Sequence, residues 1–255
     1  MAARTMPAGA RRAGAAHYEH ARRTPRAASR TSGGDPAPPL CYGVASLSRS
    51  PPMTDADHRN NRRTVAAYEG YARGYAAAVP ATPSPQAAAD LRRFAASLAP
   101  PARVLEIGSG PGWDADFLET LGAQVRRTDV TAAFVRFQIE RGKQAYPLDL
   151  LSDEIEGTYD GILLLYVVQH FERDQLDEAL RKLARALTAQ GVALLSHMLG
   201  DGDEWEGDAG DYRVVRWPAA AMDERLRRAG FAVEWESFID SERRPWRSVL
   251  LRKLG

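Results

Sequence analysis

The chain has 255 residues, a formal net charge of +1 and one cysteine, Cys41. That length holds one large domain or two small ones. A lone cysteine excludes a disulfide framework, a thiolate metal cluster and a catalytic thiol within the body, and predicts a reducing, cytoplasmic setting. No apolar run approaches the roughly 18–20 residues that span a bilayer, so no membrane partner is expected.

Chain order begins with a compositional break. Residues 1–52 hold eight arginines against two acids, Glu19 and Asp35, a net of +6, with no periodic apolar pattern. Such a composition cannot bury enough surface to offset its ordering entropy, so the segment reads as a disordered basic tail. Three origins compete: a start codon assigned too early, an Arg-rich transit peptide, and a tail for an acidic partner. The first is preferred, with Met53 as the true start, because Met53-Thr54-Asp55 begins where the composition changes. Residues 53–255 read as one domain. Their 26 bases against 31 acids leave −5, a poor charge for a polyanion binder, so no nucleic-acid partner is expected.

Residues 60–79 read as a helix with Tyr68, Tyr71 and Tyr75 on one face. Ser84-Pro85 starts a second helix, lined by Leu91, Phe94 and Leu98 and stopped by Pro100-Pro101. A strand over 102–107 runs into the glycines of 108–112. Helix 113–121, strand 123–129, helix 131–142 and a short strand before Asp149 follow. Ile162 to Val168 is an unbroken apolar run, as in a parallel strand buried on both faces. Leu176, Ala179, Leu180, Leu183 and Leu187 form a helical stripe, and Val192 to Met198 is the next strand. Residues 199–216 read as irregular and functional. Pro218 opens a helix that Gly230 closes. Phe231–Phe238 and Trp246–Leu251 make a pair whose connection is too short for a parallel crossover. The alternation predicts a doubly wound α/β fold: a mostly parallel seven-stranded sheet, helices on both faces, and an antiparallel C-terminal strand pair. Helices 60–98 would form a lid, 102–170 a cofactor half and 171–255 a substrate-side half.

In open α/β sheets ligands bind beyond the carboxyl ends of the strands. Strand one ends in Glu106 and the turn Gly108-Ser109-Gly110-Pro111-Gly112, which grips a ligand through main-chain atoms. Strand two ends in Asp129, placed to accept both hydroxyls of a ribose. Strand three leads to Asp149, strand four to His170 and strand five to His197. NAD and S-adenosylmethionine both want the ribose acid. The spacing G-x-G-x-G, with Trp113 where the dinucleotide fingerprint has its third glycine, disfavours a pyrophosphate. Asp129 could also cap the helix that follows it. Asp201, Asp203, Glu204, Glu206, Asp208 and Asp211 match no calcium loop and read as solvated surface, with no metal expected. Trp205, Tyr212 and Trp217 among them suggest a substrate cover.

Residues 60–252 resemble a class I S-adenosylmethionine-dependent methyltransferase of the small, metal-independent type. The similarity is carried by VLEIGSGPG (104–112), Asp129, Asp149-Leu150, YDGILLLYVVQHF (159–171) and LARALTAQGVALLS (183–196). It implies S-adenosyl-L-methionine as cofactor. Glu106, Gly108, Ser109, Gly110 and Gly112 would hold its methionine portion, with Leu165 closing that end. Asp129, with Val130 beside it, would take the ribose. Asp149 would accept from the adenine amino group, and the Leu150 amide would meet the ring edge. Tyr75 would cover the cofactor, with Tyr68, His197 and Tyr212 on the substrate. The acceptor would be an oxygen or nitrogen of a small metabolite, reached by in-line displacement. His170 is the candidate catalytic base and His197 the second.

Base methylation of nucleic acid is disfavoured, because Tyr166-Val167-Val168-Gln169 lacks the Asn/Asp-Pro-Pro-aromatic arrangement. The paired-glutamate loop of arginine methyltransferases is also missing. Two alternatives stand: a relative that binds the cofactor as a sensor or partner subunit without transferring methyl, and an NAD(P)-binding oxidoreductase.

Overall fold

The computed structural model describes residues 58–207, 211–239 and 245–255; the segment 1–52, Met53 and Asp208 lie outside them. The chain opens with α1 (Arg59–Ala78) and α2 (Pro85–Ala96). The Ser84 hydroxyl accepts from the Ala87 amide at 3.2 Å and Pro85 fills the first turn, the start signal legible in Ser84-Pro85. There follow β1 (Arg103–Ile107), α3 (Trp113–Thr120), β2 (Gln124–Asp129), α4 (Ala132–Glu140), β3 (Ala145–Pro147) and β4 (Tyr159–Leu164). After a 3-10 turn at Val168–His170 come α5 (Leu176–Ala186), β5 (Leu187–Met198), β6 (Asp203–Glu206), β7 (Tyr212–Val215), α6 (Ala219–Arg228), β8 (Phe231–Ile239) and β9 (Trp246–Lys253).

Seven strands form one sheet in the order β3-β2-β1-β4-β5-β9-β8. The first five are parallel, and β9 runs antiparallel to both β5 and β8. From β1 the chain winds outward through β2 to β3, then returns to lay β4 on the other side of β1. The crevice beyond the carboxyl ends of β1 and β4 is therefore the switch point, where such sheets take ligands.

Period-two alternation sorts the side chains onto two faces. Leu105, Ile162, Leu164, Ala193 and Leu195 join the core under α5 and α6. Val104, Leu163, Val192 and Leu194 join the core under α2 and α3. The α5 stripe of Leu176, Ala179, Leu180 and Leu183 is fully buried against the first core.

Two expectations need correction. The apolar run Ile162 to Val168 is not all strand: β4 ends at Leu164, and Tyr166 takes a left-handed φ of 58° that breaks the extended chain. Residues 199–216 are not irregular, since β6 and β7 pair antiparallel within them, Asp203 opposite Val215 and Glu206 opposite Tyr212. That ribbon escaped notice because its acids pair with arginines: Asp203 with Arg213, and Glu204 with Arg216. Among the described residues no helix is long and apolar enough to cross a membrane.

Leu180 is 0% exposed at the centre of the first core. Truncating it to alanine is expected to destabilise the protein by about 2–5 kcal/mol, read by denaturant melts; a loss under about 1 kcal/mol would contradict this placement of α5.

Candidate active site

A cavity of about 740 Å³ opens at the switch point, between the carboxyl ends of β1, β2 and β4 and the inner face of α1. That volume falls within the range of small-molecule sites. Its floor is the turn after β1, where Gly108, Gly110 and Gly112 all take positive φ (70°, 53° and 83°). A Cβ on Gly108 would overlap Val167, and one on Gly112 would overlap the Gln138 amide, whereas one on Gly110 meets nothing within 4 Å. Gly110 is thus where the backbone is open to a ligand. Gln138 of α4 fixes the turn from behind, its Nε2 donating to Ser109 Oγ at 2.7 Å and the Gly110 carbonyl at 2.9 Å.

Three carboxyl groups converge above this turn. Glu106 is 3% exposed, and its Oε2 has no hydrogen-bond partner. Burial raises its pKa well above the usual carboxylate value, and nearby Asp114 adds to the shift. Asp114 stands in the first turn of α3 with Oδ1 likewise unpartnered, and burial pushes it up to about 6. Asp129 is held rigidly: Oδ2 accepts from the Gly110 amide at 2.8 Å and Oδ1 from the Thr131 amide at 2.7 Å. Burial raises it to about 6 despite those hydrogen bonds. Unpartnered buried carboxyls of this kind are satisfied by a cationic or hydroxylic ligand.

A cap closes the other side. Glu69 of α1 accepts from the Ala133 amide at the N-terminus of α4, at 3.1 Å through Oε2, which docks the helix by its charge. Tyr68 and Tyr75 pack around Phe134, with ring centroids 6.0 and 5.6 Å away. His170 is the node of the cap. Its Nδ1 lies 2.7 Å from the Arg213 carbonyl, which can only accept, so Nδ1 carries the proton. Its Nε2 is then an acceptor, 3.1 Å from Gln169 Nε2 and 3.3 Å from the Tyr68 hydroxyl. Burial lowers His170 to about 4, so the ring stays neutral at physiological pH. Asn61 of α1 donates to the His170 carbonyl at 2.7 Å, and the Arg213 amide of β7 donates to Thr64 Oγ1 at 3.0 Å, tying helix, turn and ribbon together.

A family model described as a methyltransferase domain matches residues 81–235, more than half the chain. The chain belongs to that methyltransferase family. Among solved structures, the 1,6-didemethyltoxoflavin-N1-methyltransferase of Burkholderia thailandensis, with bound 1,6-didemethyltoxoflavin and S-adenosylhomocysteine, is 17% identical with a TM-score of 0.60. The match covers 81% of this chain and 94% of that one. The DhpI–SAH complex is 20% identical with a TM-score of 0.60, covering 78% and 98%. The [4+2]-cyclase SpnF is 17% identical with a TM-score of 0.55, covering 67% and 82%. These likenesses show the fold, and the cyclase shows that this fold serves more than one reaction. No curated protein matches the chain.

In the methyltransferase most of the expected residues meet at this cavity. Gly108, Ser109 and Gly110 form its floor, while Glu106, Asp129 and Asp149 supply carboxyls. Val130 and Leu165 are side walls, and Tyr68, Tyr75 and His170 face them from the cap. Four expected residues sit elsewhere. Gly112 is turned against Gln138 rather than toward the cavity. Leu150, expected through its amide, has its side chain 3% exposed in the core, and its neighbour Leu151 lines the wall. Tyr212 stands behind Tyr68, ring centroids 4.9 Å apart, and backs it rather than lining the site. His197 is 0% exposed inside β5, opposite Arg247 of β9, where burial and that guanidinium lower it to about 4. Strand β5 ends at Met198 as expected, but alternation puts His197 on the face of Ala193 and Leu195, toward the core under α5 and α6.

Sequence reasoning missed Asp114, Phe134 and Tyr166, all of which line the cavity. Asp114 had a signal: an acid two residues past the last glycine, in the first turn of the helix that the turn feeds. Tyr166 had none, because its φ of 58° is set by tertiary partners, its amide donating to Ser196 Oγ at 2.8 Å.

A carboxyl whose folded pKa is raised holds a proton that the unfolded chain releases, so its contribution to stability is present at low pH and lost as pH rises through the folded value. For Asp114 that window runs upward from its ordinary value of 3.8 to about 6. Asp114→Asn is therefore expected to raise the melting temperature at pH 8 and leave it nearly unchanged below pH ~4. An equal shift at both pH values would refute the ionisation assigned to Asp114.

Proposed function

We propose that this methyltransferase uses S-adenosylmethionine as donor and transfers its methyl, by in-line displacement, to an oxygen or nitrogen of a small metabolite. The observation that carries the reading is the pair of buried, unpartnered carboxyl oxygens, Glu106 Oε2 and Asp114 Oδ1, beside an open glycine turn. The donor carries both a sulfonium and an ammonium, and two cations suit a wall of carboxyls. When bound it supplies an electrophilic methyl that needs no further activation.

The chain's own residues do the rest. The Gly110 backbone and Glu106 hold the methionine end, with Asp114 adding a second anion. Asp129, oriented by two amides, keeps further lone pairs for a ribose diol. Asp149 stands where the nucleobase end would lie. Enclosure by Tyr68, Tyr75 and Phe134 excludes water and aligns an acceptor, the main task in such a displacement. His170 Nε2, an unprotonated acceptor, takes a hydrogen bond from the acceptor's O–H or N–H in place of the Tyr68 hydroxyl, directing the heteroatom's lone pair at the methyl. As the new bond forms and the donor's S–CH3 bond breaks, the proton leaves along that hydrogen bond and passes to solvent.

A cavity of small-molecule size and a negatively charged body support a small acceptor, as does the neighbour of this fold that holds 1,6-didemethyltoxoflavin. A dinucleotide is opposed by charge. The N-terminus of α3 carries Asp114 and that of α4 is covered by Glu69, so neither helix start welcomes a phosphate.

Calorimetric titration tests the donor: S-adenosylmethionine and S-adenosylhomocysteine should bind and NAD should not, and binding of neither sulfur compound would sink the proposal. Asp129→Ala should weaken either by about tenfold or more. His170→Asn keeps a side-chain amide donor near the Arg213 carbonyl but removes the ring acceptor. With the acceptor found by screening metabolite extracts for methylated product, it should lower kcat by about 100-fold. Its affinity for S-adenosylhomocysteine should not change; wild-type kcat would remove His170 from the reaction.

A further inference from the structure

Lys182 lies inside α5, and only 5% of it is exposed. Its ammonium donates to three backbone carbonyls of one short turn: Leu150 at 3.0 Å, Leu151 at 3.3 Å and Asp153 at 2.7 Å. An ammonium has three donors and no acceptor, so this turn accepts all it offers. No carboxylate among the described residues lies within ion-pair distance of it. Burying such a group is costly, and an apolar side chain would fill the same space in the core more cheaply. The position therefore serves the turn.

The turn is tightly internally bonded. Asp149 O accepts from the Ser152 and Asp153 amides at 3.2 and 2.8 Å, and Asp149 N donates to Asp153 Oδ2 at 2.8 Å. Leu151 N donates to Asp149 Oδ1 at 3.0 Å. Across a trans peptide the C=O and N–H point in opposite directions. Drawing the Leu150 carbonyl toward Lys182 therefore aims the Leu151 N–H away from it, onto the Asp149 carboxylate. Drawing the Leu151 carbonyl likewise aims the Ser152 N–H at the Asp149 carbonyl. Lys182 thus grips the back of the turn, while Asp149, Leu151 and Ser152 form cavity wall on its front.

We infer that Lys182 is a positioning residue for nucleobase recognition: by holding the 149–153 turn from behind, it sets the Asp149 carboxylate that reads the exocyclic amino group of adenine. This rests on the S-adenosylmethionine reading above. It touches no ligand itself and acts wholly through peptide planes.

The test compares S-adenosylhomocysteine with S-inosylhomocysteine, in which a carbonyl replaces the amino group, by calorimetry on wild type and Lys182→Met. Wild type should prefer the adenine compound by about tenfold or more, the worth of a hydrogen bond to a charged group. In Lys182→Met the adenine compound should lose about that factor while the inosine compound keeps its affinity, so the preference collapses. The same substitution made in an Asp149→Ala background should have no further effect on the ratio. A folded Lys182→Met with the wild-type preference, or with equal losses for both compounds, would overturn the positioning role. If Lys182→Met does not fold, Lys182→Gln, which keeps an amide donor for the turn, should give an intermediate preference; a wild-type ratio there would overturn it equally. Wild type binding neither compound would bring down the cofactor reading and this role with it. Wild-type binding with an unmoved ratio in the variant brings down only the role of Lys182.

Discussion

Like charge gathered in a poorly solvated space is the condition around which the rest of the molecule is arranged. Glu106, Asp114 and Asp129 arrive from a strand end, a helix start and a second strand end, and burial raises the pKa of each. Three ionised carboxylates could not share that crevice without a cation or protons. Everything nearby is built to hold them in place. The glycine turn brings α3 back under β1, Gln138 braces the turn, and the Gly110 and Thr131 amides lock Asp129. The arrangement thus favours either protons or a cation in the crevice before any particular residue touches a ligand.

Around that fixed base the cap is assembled from distant parts of the chain. Helix α1, the turn at Val168–His170 and the ribbon of β6 and β7 meet through His170, Asn61, Thr64 and Arg213. Their bonds span sequence separations of 43, 109 and 149 residues, and a separation of that order leaves no local pattern. The ligand-facing halves of the molecule thus differ in kind: one is dictated by strand order, the other by long-range docking.

That division explains how much could be read in advance. The sheet, its helices and its C-terminal antiparallel pair follow from alternation and from stop signals such as Gly230, whose φ is 87°, and all were legible. So was the floor of the site, because a strand, a glycine turn and an acid at the end of the next strand are local features. Legibility ended where one peptide rotation or one strand face decides the outcome. Leu150 and Leu151 are equally apolar, and only the turn gripped by Lys182 determines which faces the cavity. His197 looked like a strand-end histidine open to the site, but pairing with β9 sets it opposite Arg247 on the buried face of β5. Tyr212 was expected in a substrate cover, but its place behind Tyr68 depends on a ribbon whose acids sit opposite Val215, Val214 and Tyr212, a pattern with no simple apolar alternation.

Tyr166 combines three demands that few residues meet together. It holds a left-handed φ of 58°, its ring packs 4.9 Å from Trp246, and it lines the cavity. Residues that accept that backbone conformation more readily are glycine, asparagine, aspartate and histidine, of which only histidine has a ring, while β-branched residues are strongly disfavoured there. Most single substitutions at this position therefore sacrifice either the turn or the wall. The end of β4 is on this ground the least exchangeable part of the wall. New acceptor specificities on this scaffold would come from the cap, with Tyr166 left where it is.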